Sequence, residues 1–158
     1  MFLQSKLTNG IRRAVSTRQM ENSILVVAGS GRLEFTGLSA VAAEFGWIVR
    51  SAHDVREAAT MEASSHIVAV FLDRDALGPG YSWPAAIRHL RVSFPRVRLV
   101  TCHGFGDTFD WPELCDAGAF HALSLPAREE ELRQSLGFIW EAEKRAAAGR
   151  NLHIASAA

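Results

Sequence analysis

The chain is poor in cysteine: Cys102 and Cys115 are the only two, and no CxxC pair occurs. That excludes a disulfide framework and a thiolate zinc site, and leaves two free thiols expected in a reducing cytoplasm. A charge excess of either sign is also missing, since 17 basic residues balance 17 acidic ones. No global field therefore draws the chain to nucleic acid or to an anionic membrane, and neither is expected as a partner. No apolar run approaches the ~20 residues of a membrane span, and no secretory signal with an apolar core is present. The expected localisation is cytoplasmic.

What is present suits one globular domain. At 158 residues with 48% hydrophobic content, the chain can bury a real core but not two comfortable ones. Residues 1–22 differ from the rest. Leu3, Leu7, Ile11 and Val15 form a stripe at spacing four, with Lys6, Arg12, Arg13 and Arg18 around it. This extension is expected to be either helical or disordered. The domain proper is expected over 23–146, and 147–158 as a tail in which a helix end frays into disorder.

Within the domain, apolar runs alternate with helical patterns. Strands are expected at Ile24–Val27, Trp47–Val49, Ile67–Leu72, Val97–Val100 and Ala122–Leu125. Helices are expected over Leu33–Phe45, from Val55 (capped by Asp54) to Ala63, from Pro84 to before Pro95, over Trp111–Ala117 (closed by Gly118), and over Arg128–Ala147. On the last helix, Leu132, Leu136, Ile139 and Trp140 are expected to face inward. Five βα units with near-continuous apolar strands imply a parallel sheet covered on both faces. The expected fold is α/β, a flavodoxin-like doubly wound five-stranded parallel sheet of strand order 2-1-3-4-5. In such sheets, sites form beyond the carboxyl ends of the strands.

At those ends the chain resembles the receiver domains of bacterial response regulators. Val70-Phe71-Leu72-Asp73 resembles the phosphoacceptor strand, and Leu99-Val100-Thr101 the end of the fourth strand. Ala117-Gly118-Ala119-Phe120 through Leu125-Pro126 resembles the segment that ends in Lys-Pro. Asp73-Arg74-Asp75 with Trp83, Trp111 and Trp140 is also similar to a divergent group of receiver-like proteins from acidobacteria. The resemblance implies a phosphoacceptor at Asp73, with Asp75 as the runner-up that keeps the family's spacing from Pro79-Gly80. It implies a phosphoryl-contacting hydroxyl at Thr101. It also shows four departures. Ala28 and Gly29 stand at the acidic pair that holds magnesium, Ala122 at the switching aromatic, and Leu125 at the phosphoryl-pairing lysine.

These departures point to a stand-alone pseudo-receiver of a two-component or phosphorelay system, not an enzyme, acting by binding. Its expected partners are a histidine kinase or a downstream signalling protein, or a second copy through the last helix. Mg²⁺ is expected only if Asp73 is a working acceptor. The alternative is a small flavodoxin-like protein that binds nucleotide or phosphate on the Gly29-Ser30-Gly31-Arg32 loop. Against it, a complete GxGxxG would need glycine where Glu34 stands, and no P-loop lysine follows. Cys102 and His103 read as a loop thiol and histidine. His53, His66, His89, His121 and His153 read as surface residues without ligand spacing. Trp47, Trp83 and Trp111 read as packing residues, and Trp140 as a candidate interface residue.

Overall fold

The computed structural model describes residues 21–29, 35–61 and 66–157. The N-terminal extension, apart from its last two residues, lies outside them. The elements are β1 (Asn22–Val27), α1 (Leu38–Glu44), β2 (Ile48–Ala52), α2 (Val55–Thr60), β3 (His66–Asp73), α3 (Trp83–Ser93), β4 (Arg98–His103), α4 (Trp111–Ala117), β5 (His121–Ser124) and α5 (Glu129–Ser156). All strand pairs are parallel, in the order β2-β1-β3-β4-β5. This is the doubly wound sheet that the alternation of apolar runs and helical stripes predicts.

The two faces have separate cores. One packs α2, α3 and α4 onto Leu25, Val27, Val70, Leu72 and Leu99. The other packs α1 and α5 onto Ile24, Val26, Phe71, Val100, Cys102 and Leu123. Strand residues alternate between these cores because successive side chains point to opposite faces. β3, at the centre, is buried from Ile67 to Asp73. Its register against β1 shifts between Ser23 and Ile24, so Val68 and Ala69 both serve the α1/α5 core.

Helix starts follow local chemistry. Asp54 accepts from the Glu57 N–H at 2.8 Å, Ser82 from the Ala85 N–H at 3.3 Å, and Asp110 from the Glu113 N–H at 3.2 Å. Proline follows at the first turns of α3 and α4, where its missing N–H costs nothing. Gly118 closes α4 in the left-handed region, with φ of 116°.

Several boundaries differ from the sequence expectation. β4 runs three residues further than expected and takes in Thr101, Cys102 and His103 before Gly104 stops it. β2 starts one residue later, because the Trp47 N–H donates to the Ala42 carbonyl at the end of α1, at 3.0 Å, while its ring stacks on Phe45. The first helix is regular only from Leu38, after Gly37 at φ of 91°.

The tail is the main correction. α5 continues through 28 residues to Ser156, without the fraying and disorder expected of it. Leu132, Leu136 and Ile139 anchor it, whereas Trp140 is 37% exposed instead of inward. Residues 147–157 are all exposed. A docked helix has already met the nucleation cost, so the Ala-rich extension needs only favourable elongation. Arg133 joins α5 to α1 with two bonds of 2.8 Å to the Glu44 carboxylate.

Truncating Ile139, which is fully buried on α5, is expected to cost about 2–5 kcal/mol. A Cβ at position 118 would clash with Cδ of Arg91. Gly118→Ala is therefore expected to cost at least about 1–2 kcal/mol from the left-handed backbone alone. Urea unfolding of each variant against wild type measures both.

Candidate functional site

The carboxyl edge of the sheet is where the expected site residues fall. Asp73 is the last residue of β3 and is 1% exposed. Asp75 is exposed, in a single 3₁₀ turn spanning Arg74–Ala76. The strand therefore ends at the first of the two aspartates. Asp73 pairs in register with Cys102, and Leu72 with Thr101. Cys102 is fully buried; burial, then the nearby Asp73 carboxylate, push its thiol well above the usual range. It is not the loop thiol expected, because β4 carries it into the α1/α5 core.

Thr101 is fully buried and lies on the other face, with Leu72 and Leu99. Its Oγ1 is 2.8 Å from Nε2 of His103. His103 is the residue the sequence reading placed wrongly. It is the last residue of β4, 3% exposed. Its ring stacks on Phe109 with centroids 3.6 Å apart, and Trp83 tilts against it at 4.8 Å. The only sequence signal for it is alternation: Leu99, Thr101 and His103 share one face of a strand that has no breaker before Gly104.

The next turn carries the charges. Asp107 accepts from the Gly104 N–H at 2.7 Å and pairs with Arg74. These contacts, the Gly104 bond foremost, hold the Asp107 carboxyl below its ordinary range. Burial lowers the pKa of His103; Arg74 adds to this, and Asp107 opposes it. A shallow cleft of about 620 Å³ opens beside the cluster, lined by Arg74, Leu77, Trp83, Phe109 and Glu113 among others.

The remaining expected positions surround the edge. The Ala28 N–H donates to the Ala52 carbonyl at 3.0 Å, which extends the β1–β2 pairing past β1. Gly29 faces open space. The rest of the Gly29–Arg32 loop lies outside the described residues. Ala122 sits within β5, half-buried. Leu125 is 6% exposed and packs in the α1/α5 core, with its N–H donating to the His103 carbonyl at 2.7 Å. Among the described residues, no three His, Cys, Asp or Glu side chains are placed to hold a metal ion. His53, His66, His89 and His153 are exposed as expected, whereas His121 is half-buried and burial lowers its pKa.

A pH dependence follows. A histidine whose folded pKa lies below its unfolded value leaves the unfolded chain holding more protons. Stability is then full above the unfolded value near ~6.5 and falls as pH drops through that value toward the folded one. Wild type is expected to lose stability between about pH 7 and pH 5. His103→Gln is expected to lose less over the same window, with His121 supplying the remainder. Urea unfolding at each pH reads the difference, and equal slopes would sink the assignment to His103.

No protein-family model matches the chain, and no curated protein is a significant match. Solved structures do match. NtrX from Brucella abortus is 20% identical with a TM-score of 0.67; the match covers 83% of this chain, which spans only 30% of NtrX. A response regulator receiver domain protein from Clostridium thermocellum is 18% identical with a TM-score of 0.62, covering 79% of this chain and 98% of that one. The receiver domain of the sensor histidine kinase PA1611 from Pseudomonas aeruginosa, solved with magnesium in its active-site cleft, is 22% identical with a TM-score of 0.56, covering 75% and 97%. With its parallel 2-1-3-4-5 sheet, the chain has the fold of response regulator receiver domains.

Proposed function

We propose that the chain is a receiver-like signalling module with a degenerate phosphorylation site, acting in the cytoplasm by binding a protein partner and not by catalysis. The observation that carries this reading is the fate of Thr101. Its hydroxyl is engaged by His103 on the face opposite to the one Asp73 shares with Cys102. Leu125, at the position of the phosphoryl-pairing lysine, is packed into the core and brings no charge to the edge. A phosphoryl group on Asp73 would lose a charge-assisted bond worth about 1.5–3 kcal/mol. Magnesium takes oxygen ligands and leans on carboxylates, and Ala28 and Gly29 offer none from their side chains. The residues present do not fit that ion.

Binding is supported by the surface of α5 and β5. Phe138 and Trp140 are 47% and 37% exposed. Phe138 meets His121 of β5 edge-on, with centroids 5.7 Å apart, and Lys144 lies 4.0 Å over the Trp140 ring. Exposed aromatics held in place by neighbours lose little entropy on docking and are the usual anchors of protein interfaces. The partner is a histidine kinase, a downstream signalling protein or a second copy of this chain.

Two measurements test the reading. Intact-mass spectrometry after incubation with magnesium and acetyl phosphate is expected to show no phosphoryl adduct on wild type, while a working receiver labels in parallel. An adduct lost in Asp73→Ala or Asp75→Ala would overturn the degenerate-site reading. Sedimentation over a range of concentrations is expected to show self-association that Phe138→Glu weakens at least tenfold. A wild type that stays monomeric throughout removes the second copy from the candidate partners.

A further inference from the structure

The opposite edge of the sheet holds a second concave site. β3 spans eight residues, so its amino end lies about 23 Å from Asp73 at ~3.3 Å per residue. There, a pocket of about 250 Å³ is lined by His66, Arg91, Arg96, Arg98, Glu143 and Arg150, among others. The four arginines come from α3, the α3–β4 turn, β4 and α5. Against them stands one carboxylate, in a chain whose overall formal charge is zero.

The arginines are arranged differently from those elsewhere on the surface. Arg133, Arg74 and Arg128 are each matched with carboxylates. Arg96 and Arg150 form no ion pair among the described residues. Arg91 reaches only backbone carbonyls, at 3.5 Å to Val97 and Gly118 and 3.4 Å to Pro95. These carbonyls hold the guanidinium without cancelling its charge. Arg98 leans over the Phe120 ring, 5.5 Å from its centroid, and its Nε lies 3.5 Å from Glu143. That Nε is buried and makes no hydrogen bond, a condition that normally costs free energy. The carboxyl end of α3 also faces this side and disfavours anions, but it carries only about half an elementary charge, against four guanidinium groups.

We propose that this pocket binds the phosphate or pyrophosphate group of a soluble ligand. Guanidinium forks match phosphate oxygens bidentately, and several converging forks give both charge and geometry. The pocket holds the space of about eight waters at ~30 Å³ each, which suits a phosphate or pyrophosphate group and its immediate surroundings. Arg150 belongs to the exposed part of α5, so the long helix supplies one wall of the site. The proposal does not depend on whether Asp73 is phosphorylated.

Isothermal titration calorimetry of the full chain with inorganic pyrophosphate, against chloride at equal ionic strength, is the test. Saturable one-to-one binding is expected, with affinity at least tenfold weaker in the double variant Arg96→Ala/Arg150→Ala. Both positions are exposed, so this variant is expected to fold, and circular dichroism checks that it does. Arg56→Ala, which removes one positive charge from α2 outside the pocket lining, is expected to leave the affinity unchanged. No saturable binding by wild type overturns the proposal. So does equal loss in Arg56→Ala and the double variant, which would mark a diffuse charge effect.

Discussion

The central strand β3 sets the terms for everything around it. It is covered on both faces, so its side chains must be apolar almost without interruption, and its neighbours β1 and β4 are held in parallel register along it. A one-residue slip would move its whole apolar set to the wrong core. The first polar residue that the strand admits after Ile67 is Asp73, at its carboxyl end. The place where chemistry can occur is thus fixed by where burial stops.

The same constraint explains why the edge has its present character. β4 matches β3 through Asp73, which carries it to Cys102, and pairing with Ser124 of β5 takes it on to His103. Once inside the sheet, a histidine needs partners. It finds one hydroxyl, Thr101, and two aromatic faces, Trp83 and Phe109. Charge is kept one turn away, in the Arg74–Asp107 pair. The edge is therefore a packed cluster, in which Nδ1 of His103 is buried without a hydrogen-bond partner, in contrast to the open acidic cleft that a magnesium-dependent site needs.

Much of this was legible from residue order alone. The five apolar runs, the caps at Asp54 and Gly118, and the placement of Asp73 at a strand end follow from local rules that hold whatever the tertiary context. The extent of β4 was not legible. Thr-Cys-His before a glycine reads equally as a strand end or a loop, and only the neighbouring strands decide, β3 pairing as far as Cys102 and β5 pairing with His103. The extension of α5 was missed for a related reason. An exposed alanine-rich segment has no stripe to show, and its order comes from the docked turns before it. Trp140 was read both as inward and as an interface residue because it sits at the boundary of the buried stripe, next to Ile139.

Gly118 illustrates how two parts of the molecule share one atom's worth of space. Its missing side chain closes α4, and it also leaves room for the Arg91 stem, whose guanidinium donates to the Gly118 carbonyl. The residues at 91 and 118 are consequently not free to drift separately. Among homologous chains, a bulkier residue at 118 should coincide with a shorter one at 91. The pair should register as a covarying couple, although one member belongs to a helix cap and the other to an arginine cluster.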